Sequence, residues 1–304
     1  FVSPLEVLRI IAKELFFSGT GNVISDVIFA IRLPRLLTAV LVGAALAGAG
    51  AVFQCLIRNP LGDPYLIGVS SGAALGMVVA SMFGISGVIL GLPAASLLGG
   101  TAAVFVVYIL AKVGGKIHTT RLILAGIVVS AYLSALTMFI LSRSDTTTLK
   151  GVTFWMMGDL GYRGLAEEVV ILPYFFLSLL AIFAISGKLN VIMLGDDIAA
   201  QMGINVDRLK ASGLIFASLL TGVAVAAAGV IGFIGLIVPN LVRYKWGSDF
   251  RVNFPLSTLA GAILLLLSDI IVRIVSPVSE IPVGIVTALI GTPFFIHLLI
   301  KARD

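Results

Sequence analysis

The residues of this chain that could do chemistry are few, and each sits where its chemistry is restricted. Gly68-Val69-Ser70-Ser71-Gly72 has the Gly-x-Ser-x-Gly form of a nucleophile elbow, in which a serine attacks a carbonyl. That attack needs a strand-to-helix turn and a general base, but here the motif opens an apolar run and only His118 and His297 could be the base. Gly114-Gly115-Lys116 ends like a phosphate-binding loop, yet it lacks the upstream glycine and the following hydroxyl. ATP chemistry would therefore have to come from a partner. Cys55 is the sole cysteine and lies in an apolar run, which leaves no intrachain disulfide. One cysteine and two histidines make no metal site of the usual kind. No catalytic residue, metal ligand or cofactor is assigned to this chain.

Asp269 is the one carboxylate inside an apolar run. An acid in that setting is a candidate ion or proton carrier. Arg273, one turn later, makes a structural ion pair the simpler reading. The segment 194–210 is different in kind. Asp196 and Asp197 suit a helix N-terminus, where they can cap it. Gly203 suits the end of that helix, with Ile198, Ala199 and Met202 on one face. The expected product is a short amphipathic helix in a polar loop, whose apolar face needs a cleft or the bilayer surface.

The elements that must carry these residues are set by composition. The chain is 59% hydrophobic and 12% charged, against roughly 45–50% and 25% in ordinary soluble domains. Apolar runs fall at about 36–57, 65–83, 88–111, 122–141, 169–186, 212–229, 231–242, 255–275 and 283–300. Crossing a bilayer takes ~20 mostly apolar residues, so 231–242 is short and reads as a half-helix packed inside the protein. The runs are apolar on all faces, unlike the alternating strands of a barrel, and backbone in lipid must be satisfied within its own segment. The predicted fold is an all-α, polytopic bundle of nine spans forming one domain over 1–304, with 1–33 an extracytoplasmic segment before the first span. No basic block with interleaved aromatics points to nucleic acid. Lipid is the surrounding solvent. Placing Arg58, Lys112, Lys116, Arg121, Lys188, Arg208 and Lys210 inside satisfies the positive-inside bias, which makes 187–211 a cytoplasmic loop. Leu41, Gly43, Ala45, Ala47, Ala49 and Gly50 recur as Leu220, Gly222, Ala224, Ala226, Ala228 and Gly229, and Pro60 as Pro239. That echo suggests an inverted repeat of the kind transporters use. The chain opens at Phe1 with no initiator Met and no signal peptide before residue 34, so sequence upstream is expected.

From residue 31 onward the chain resembles the permeases of vitamin B12, iron-siderophore and haem ABC importers, the type II importers. The resemblance is carried by Ile31-Arg32-Leu33-Pro34-Arg35, Gly43-Ala44-Ala45-Leu46-Ala47-Gly48-Ala49-Gly50 and Arg58-Asn59-Pro60-Leu61-Gly62-Asp63-Pro64. It continues through Leu66-Ile67-Gly68-Val69-Ser70-Ser71-Gly72-Ala73, Thr119-Thr120-Arg121-Leu122, Phe154-Trp155-Met156-Met157-Gly158, Gly232-Phe233-Ile234-Gly235-Leu236-Ile237-Val238-Pro239 and Glu280-Ile281-Pro282-Val283-Gly284. The resemblance implies a permease of ten spans, the first of them missing from this chain. It implies a bacterial or archaeal cytoplasmic (inner) membrane protein that is itself no enzyme and works as a homodimer with two cytoplasmic ATPase subunits. These would bind the ATP and Mg, and an extracytoplasmic substrate-binding protein would deliver the cargo. By the same resemblance, Arg32, Arg35 and Arg273 dock the binding protein. Thr119 and Thr120 with Asn59 and Leu61 form the inner gate. Gly195, Asp196, Asp197, Ala199, Met202 and Gly203 receive the ATPase. The implied cargo is a bulky metal chelate, iron-siderophore or haem, with cobalamin or an oxyanion such as molybdate as alternatives. An ion-coupled secondary transporter and an intramembrane hydrolase are the readings from other classes. Asn240 departs from the pattern, since many relatives carry His after the proline, as does Tyr244-Lys245-Trp246-Gly247-Ser248.

Overall fold

The computed structural model describes residues 6, 9–10, 23–85, 91–161, 165–276 and 281–301, with the side chains of 23, 165–170, 297–299 and 301 left out. A short helix Val23–Val27 and a π-helical turn Ile28–Arg32 lead into α1, Leu33–Ile57. Pro34 cannot donate to the carbonyl four residues back, and its ring crowds that carbonyl. The wider π turn just before it accommodates the proline without ending the helix. The apolar helix therefore runs from Ile24 to Ile57, starting well before residue 34 where the sequence places the outer segment's end.

After α1 come a 3-10 turn Pro64–Ile67, α2 (Val69–Met82), α3 (Gly91–Ala111), α4 (Thr119–Leu141), α5 (Thr146–Met156) and α6 (Leu165–Leu194). The chain ends with α7 (Asp196–Gln201), α8 (Val206–Ala228), α9 (Ile234–Trp246), α10 (Phe250–Val275) and α11 (Val283–Lys301). Among the described residues a helix stands at each of the nine predicted runs, and six of these are long and apolar enough to cross a membrane. The 14 residues of α2 and 13 of α9 reach only about 20 Å at 1.5 Å per residue, short of a ~30 Å hydrocarbon core. Three features depart from expectation. The stretch 187–211 is mostly helix, since α6 and α8 continue past the hydrophobic boundary, and the loop shrinks to the residues around α7. The helix α5 is new; Asp145 starts it by accepting from the N–H groups of Thr147 (2.9 Å) and Thr148 (3.1 Å). Lys112–Val113 and Lys116–Ile117 pair as a small antiparallel hairpin, a minor exception to an all-α chain.

The core is built around α1, whose residues from Val42 to Ile57 are all buried. It packs on α10, α8, α9 and α6, and the closest approaches are made at glycines. A Cβ on Gly43 would run into the carbonyl of Gly261 in α10, and one on Gly50 into the carbonyl of Gly235 in α9. Phe53, Leu46, Leu220, Phe254 and Leu265 fill the spaces around them. The echo between α1 and α8 holds as far as Gly50 and Gly229 and then fails. α1 continues seven residues beyond Gly50 to Ile57, whereas Gly229 ends α8 and a nonhelical stretch to Phe233 precedes α9. One side chain satisfies that break. The Tyr65 hydroxyl donates to the carbonyl of Ile231 (3.0 Å) and accepts from its N–H (3.2 Å).

Gly50→Ala is expected to destabilise the bundle by about 1–3 kcal/mol, because the added methyl meets backbone that cannot yield. Gly151→Ala, in α5 with open space at its Cβ position, is expected to stabilise by up to about 1 kcal/mol through helix propensity. Denaturation of the two purified variants in mixed micelles checks both signs.

Candidate functional site

The site expected at the cytoplasmic end starts where α1 stops. Arg58 takes the left-handed conformation, φ 53 and ψ 40, and the Asn59 N–H bonds back to the carbonyl of Gln54 at 3.2 Å. This is a Schellman ending, normally made by glycine; an L-residue there costs about 1–2 kcal/mol. Asn59 then folds the loop on itself, its side-chain oxygen accepting from the Leu61 N–H at 2.9 Å. Leu61 is left 38% exposed. Asp63 closes the loop by accepting from the Tyr65 N–H at 2.8 Å, the N-cap of the 3-10 turn. Burial pushes the Asp63 carboxyl up to about 6, against a smaller lowering by that hydrogen bond.

Thr119 and Thr120 open α4, Thr119 half-buried and Thr120 exposed. His118 is the N-cap residue and no side chain caps this helix. Among the described residues no hydrogen bond joins either threonine to Asn59 or Leu61. The two pairs are linked instead through packing, since α4 lies on the 3-10 turn that follows the loop. Gly126 makes that approach possible: a Cβ there would strike the carbonyl of Leu66.

In α7 the structure corrects the expected capping. Gly195, φ 134, is the N-cap residue and provides no side-chain bond. Asp196 turns instead to cations, with Lys210 Nζ at 2.5 Å and Arg58 Nη2 at 3.6 Å. Asp197 is exposed. Gly203, φ 78, follows the end of the helix as the sequence predicts. The expected common face does not form. Ala199 is fully buried, while Ile198 and Met202 are 45% and 63% exposed. The three positions span about 100° of the helix, wide enough for Ala199 at one edge to face the bundle while Ile198 and Met202 face outward. The result is a segment fastened to the bundle by Asp196 and Ala199, presenting two large apolar side chains outward.

The same end contains a polar network that sequence reasoning missed. Pro239 has no N–H for the carbonyl of Gly235, and the amide of Gln54 supplies one, at 3.2 Å, with a second contact to Leu236 O at 3.0 Å. Asn240 Nδ2 donates to Leu236 O and to Pro60 O, both at 2.8 Å. Arg243 joins the Asn240 and Gln54 side-chain oxygens at 3.3 and 3.2 Å. Asn240 thus holds the 58–62 loop onto α9. A proline inside a buried helix leaves a carbonyl without its usual donor, and Gln54 is the single amide in α1.

The Gly-x-Ser-x-Gly stretch forms a helix start: Gly68 (φ 84) precedes α2, the Ser71 hydroxyl donates to Gly68 O at 3.1 Å, and Gly72 packs against Gly99. Gly114 and Gly115, both with positive φ, make the turn of the small hairpin. The side chain of His297 lies outside the described residues.

At the opposite end, Asp269 is fully buried and receives Arg35 Nε at 2.8 Å, Arg35 Nη2 at 2.7 Å and Arg273 Nε at 2.9 Å. One carboxylate ties α1 to α10. Arg35 and Arg273 are therefore engaged within the chain, 16% and 35% exposed, whereas Arg32 is exposed on the π turn.

Residues 2–301 match the FecCD transport family. The hemin transport system permease protein of Yersinia pestis is 37% identical over 300 residues, covering 96% of this chain and 88% of that protein. The cobalamin import system permease protein of Halobacterium salinarum is 40% identical over 281 residues, 92% of this chain and 75% of that one. A metal-chelate type ABC transporter solved in an inward-facing conformation shares the fold with a TM-score of 0.83 at 34% identity, over 97% of this chain and 96% of that one. The chain belongs to the FecCD transport family and is a multi-pass permease of the cytoplasmic membrane.

Two outcomes follow. A carboxyl raised to about 6 binds more protons folded than unfolded between its usual value near 4 and 6. Its contribution is therefore greatest below about pH 4 and is lost as pH rises through 6. Asp63→Asn should match the parent's melting temperature at pH 4.5 and exceed it at pH 8. Removing the buried shared carboxylate with Asp269→Ala leaves two partly buried cations unpaired and should cost about 2–4 kcal/mol, below the full cost of a wholly buried pair, measured by denaturation in micelles.

Proposed function

We propose that this chain is the membrane permease of an ATP-driven importer that moves a bulky metal chelate into the cytoplasm. It works as a homodimer with two cytoplasmic ATPase subunits, which bind the ATP and Mg, and with an extracytoplasmic binding protein that delivers the cargo. The observation that carries this is α7, a short helix anchored on one face while Ile198 and Met202 stand unpartnered on the other. An apolar pair at the tip of two extended helices suits a cleft on a partner that does mechanical work. In this reading Gly195 and Gly203 let the segment turn sharply at either end, and Asp197 rims the contact.

Cargo would enter between copies of the chain and pass Leu61, Asn59, Thr119 and Thr120 on leaving. A single apolar side chain on a hydrogen-bonded loop and two small hydroxyls at a helix start can close by contact and open by small shifts. Docking at the outer face falls to Arg32 in the first instance, with Arg35 and Arg273 adding positive charge around Asp269; cations at a rim steer an acidic partner and set its register. Relatives named for hemin and cobalamin, and a structural neighbour of metal-chelate type, support an iron chelate or haem, or else cobalamin. Ion-coupled transport is less well supported, because both oxygens of Asp269 are engaged by arginines and neither is left for a travelling ion.

The chain co-expressed with its ATPase should copurify with it and import an iron chelate into proteoliposomes only with ATP and the loaded binding protein. Ile198→Asp with Met202→Asp should lower ATPase retention by more than about tenfold, as loss of two interface anchors does. Uptake by the chain alone under an ion gradient overturns the proposal.

A further inference from the structure

The Schellman turn at the end of α1 accounts for the left-handed backbone at residue 58 but not for an arginine there. The Schellman bonds from the Arg58 and Asn59 N–H groups to the carbonyls of Cys55 and Gln54, both 3.2 Å, use backbone alone. Glycine would adopt φ 53 without strain, so folding by itself favours a residue other than arginine. Strain held at one position is a reason to ask what its side chain does.

That side chain reaches α7. Arg58 Nη2 lies 3.6 Å from Asp196 Oδ1, and this oxygen is buried and accepts no hydrogen bond. Lys210 holds the other oxygen. On its other side Arg58 is joined by one peptide bond to Asn59, whose side chain sets the turn that presents Leu61. A guanidinium thus lies between the segment that would receive the ATPase and the loop that would close the path. The pair is open by about 0.8 Å relative to a charge-assisted hydrogen bond near 2.8 Å, so a small displacement of α7 can make or break it.

We propose that Arg58 is the residue that transmits movement of α7 to the 59–63 loop. When Asp196 moves toward the guanidinium, the pair tightens and holds Arg58 in its left-handed state. When Asp196 withdraws, the strained backbone is free to relax and the turn carrying Leu61 opens. Arg58 is a positioning residue here and touches no cargo. This rests on the importer reading above, with α7 as the point where force enters.

The test uses the full permease with its ATPase and binding protein in proteoliposomes, and compares Arg58→Gly with Arg58→Lys. A merely structural arginine predicts that glycine lowers the melting temperature; transmission predicts that glycine melts no lower than the parent. Chelate imported per ATP hydrolysed should fall at least about fivefold in Arg58→Gly, the lower end of typical coupling between sites. It should stay within about twofold of the parent in Arg58→Lys, which keeps the charge. A second readout needs no cargo. Leu61→Cys, probed with a maleimide over buried Cys55 as background, should label at an ATP-dependent rate that becomes ATP-independent once Arg58 is glycine. Unchanged import per ATP, or ATP-dependent labelling that survives Arg58→Gly, overturns the proposal. Labelling that follows ATP through Arg58 in a complex that imports no chelate upholds the linkage and sinks the cargo reading instead.

Discussion

In hydrocarbon a helix gains nothing by hiding leucine from lipid, so association depends on how near two backbones can come. Here that nearness is concentrated on α1. Its glycines at 43 and 50 meet the backbone of Gly261 and Gly235 on two different helices, and its alanines leave no shoulder between them. A helix enclosed on all sides fixes its neighbours' axes, and through them the ends where function is placed. The small residues of 43–50, which look featureless in sequence, therefore set the geometry for everything else.

Close packing places backbone but does not choose a register along the helix axis. The buried polar groups do, one set at each end of α1. At one end Asp269 gathers Arg35 and Arg273, and an ion pair so deeply buried is tolerable only because the carboxylate is met from two helices. At the other end Gln54 supplies the hydrogen bonds that Pro239 denies to α9. Sliding α1 by one residue would strand a charge at the first end and a carbonyl at the second. Buried groups left without partners are costly in lipid, so the two sets together hold α1 in one position against α9 and α10.

Much of this was legible in sequence, and for identifiable reasons. Nine apolar runs could be read because lipid demands composition on all faces, a signal that needs no partner. The Asp269–Arg273 pair could be read because i and i+4 meet on any helix. The third member, Arg35, comes from 234 residues away, and no local pattern announces it. Asp196 is the same case: its acidic position at a helix start fits a cap, and only the fold brings Lys210 and Arg58 beside it. The arc shared by Ile198, Ala199 and Met202 follows from helical period, but that Ala199 at its edge is drawn into the bundle while the other two stay exposed depends on tertiary contacts no local pattern announces. Asp145-Thr146-Thr147-Thr148 is a capping signal legible in sequence, though α5, only 11 residues long, leaves no apolar run of spanning length to announce the helix behind it.

The break between α8 and α9 shows how irregular backbone survives at membrane depth. Its polar groups are turned into protein, as they must be where water is absent. Ile231, 1% exposed, has both its N–H and its carbonyl bound to one hydroxyl, that of Tyr65. Tyr65 belongs to the 3-10 turn that ends the 59–63 loop, and Asn240 fastens the start of that loop to α9. The loop is thus held at both ends by the chain on either side of the break. A loop gripped in this way cannot drift independently of α9; it moves with it or changes its own turn. Arg58, at the head of the loop and in a conformation it adopts only under constraint, is where that turn has the least to lose by changing.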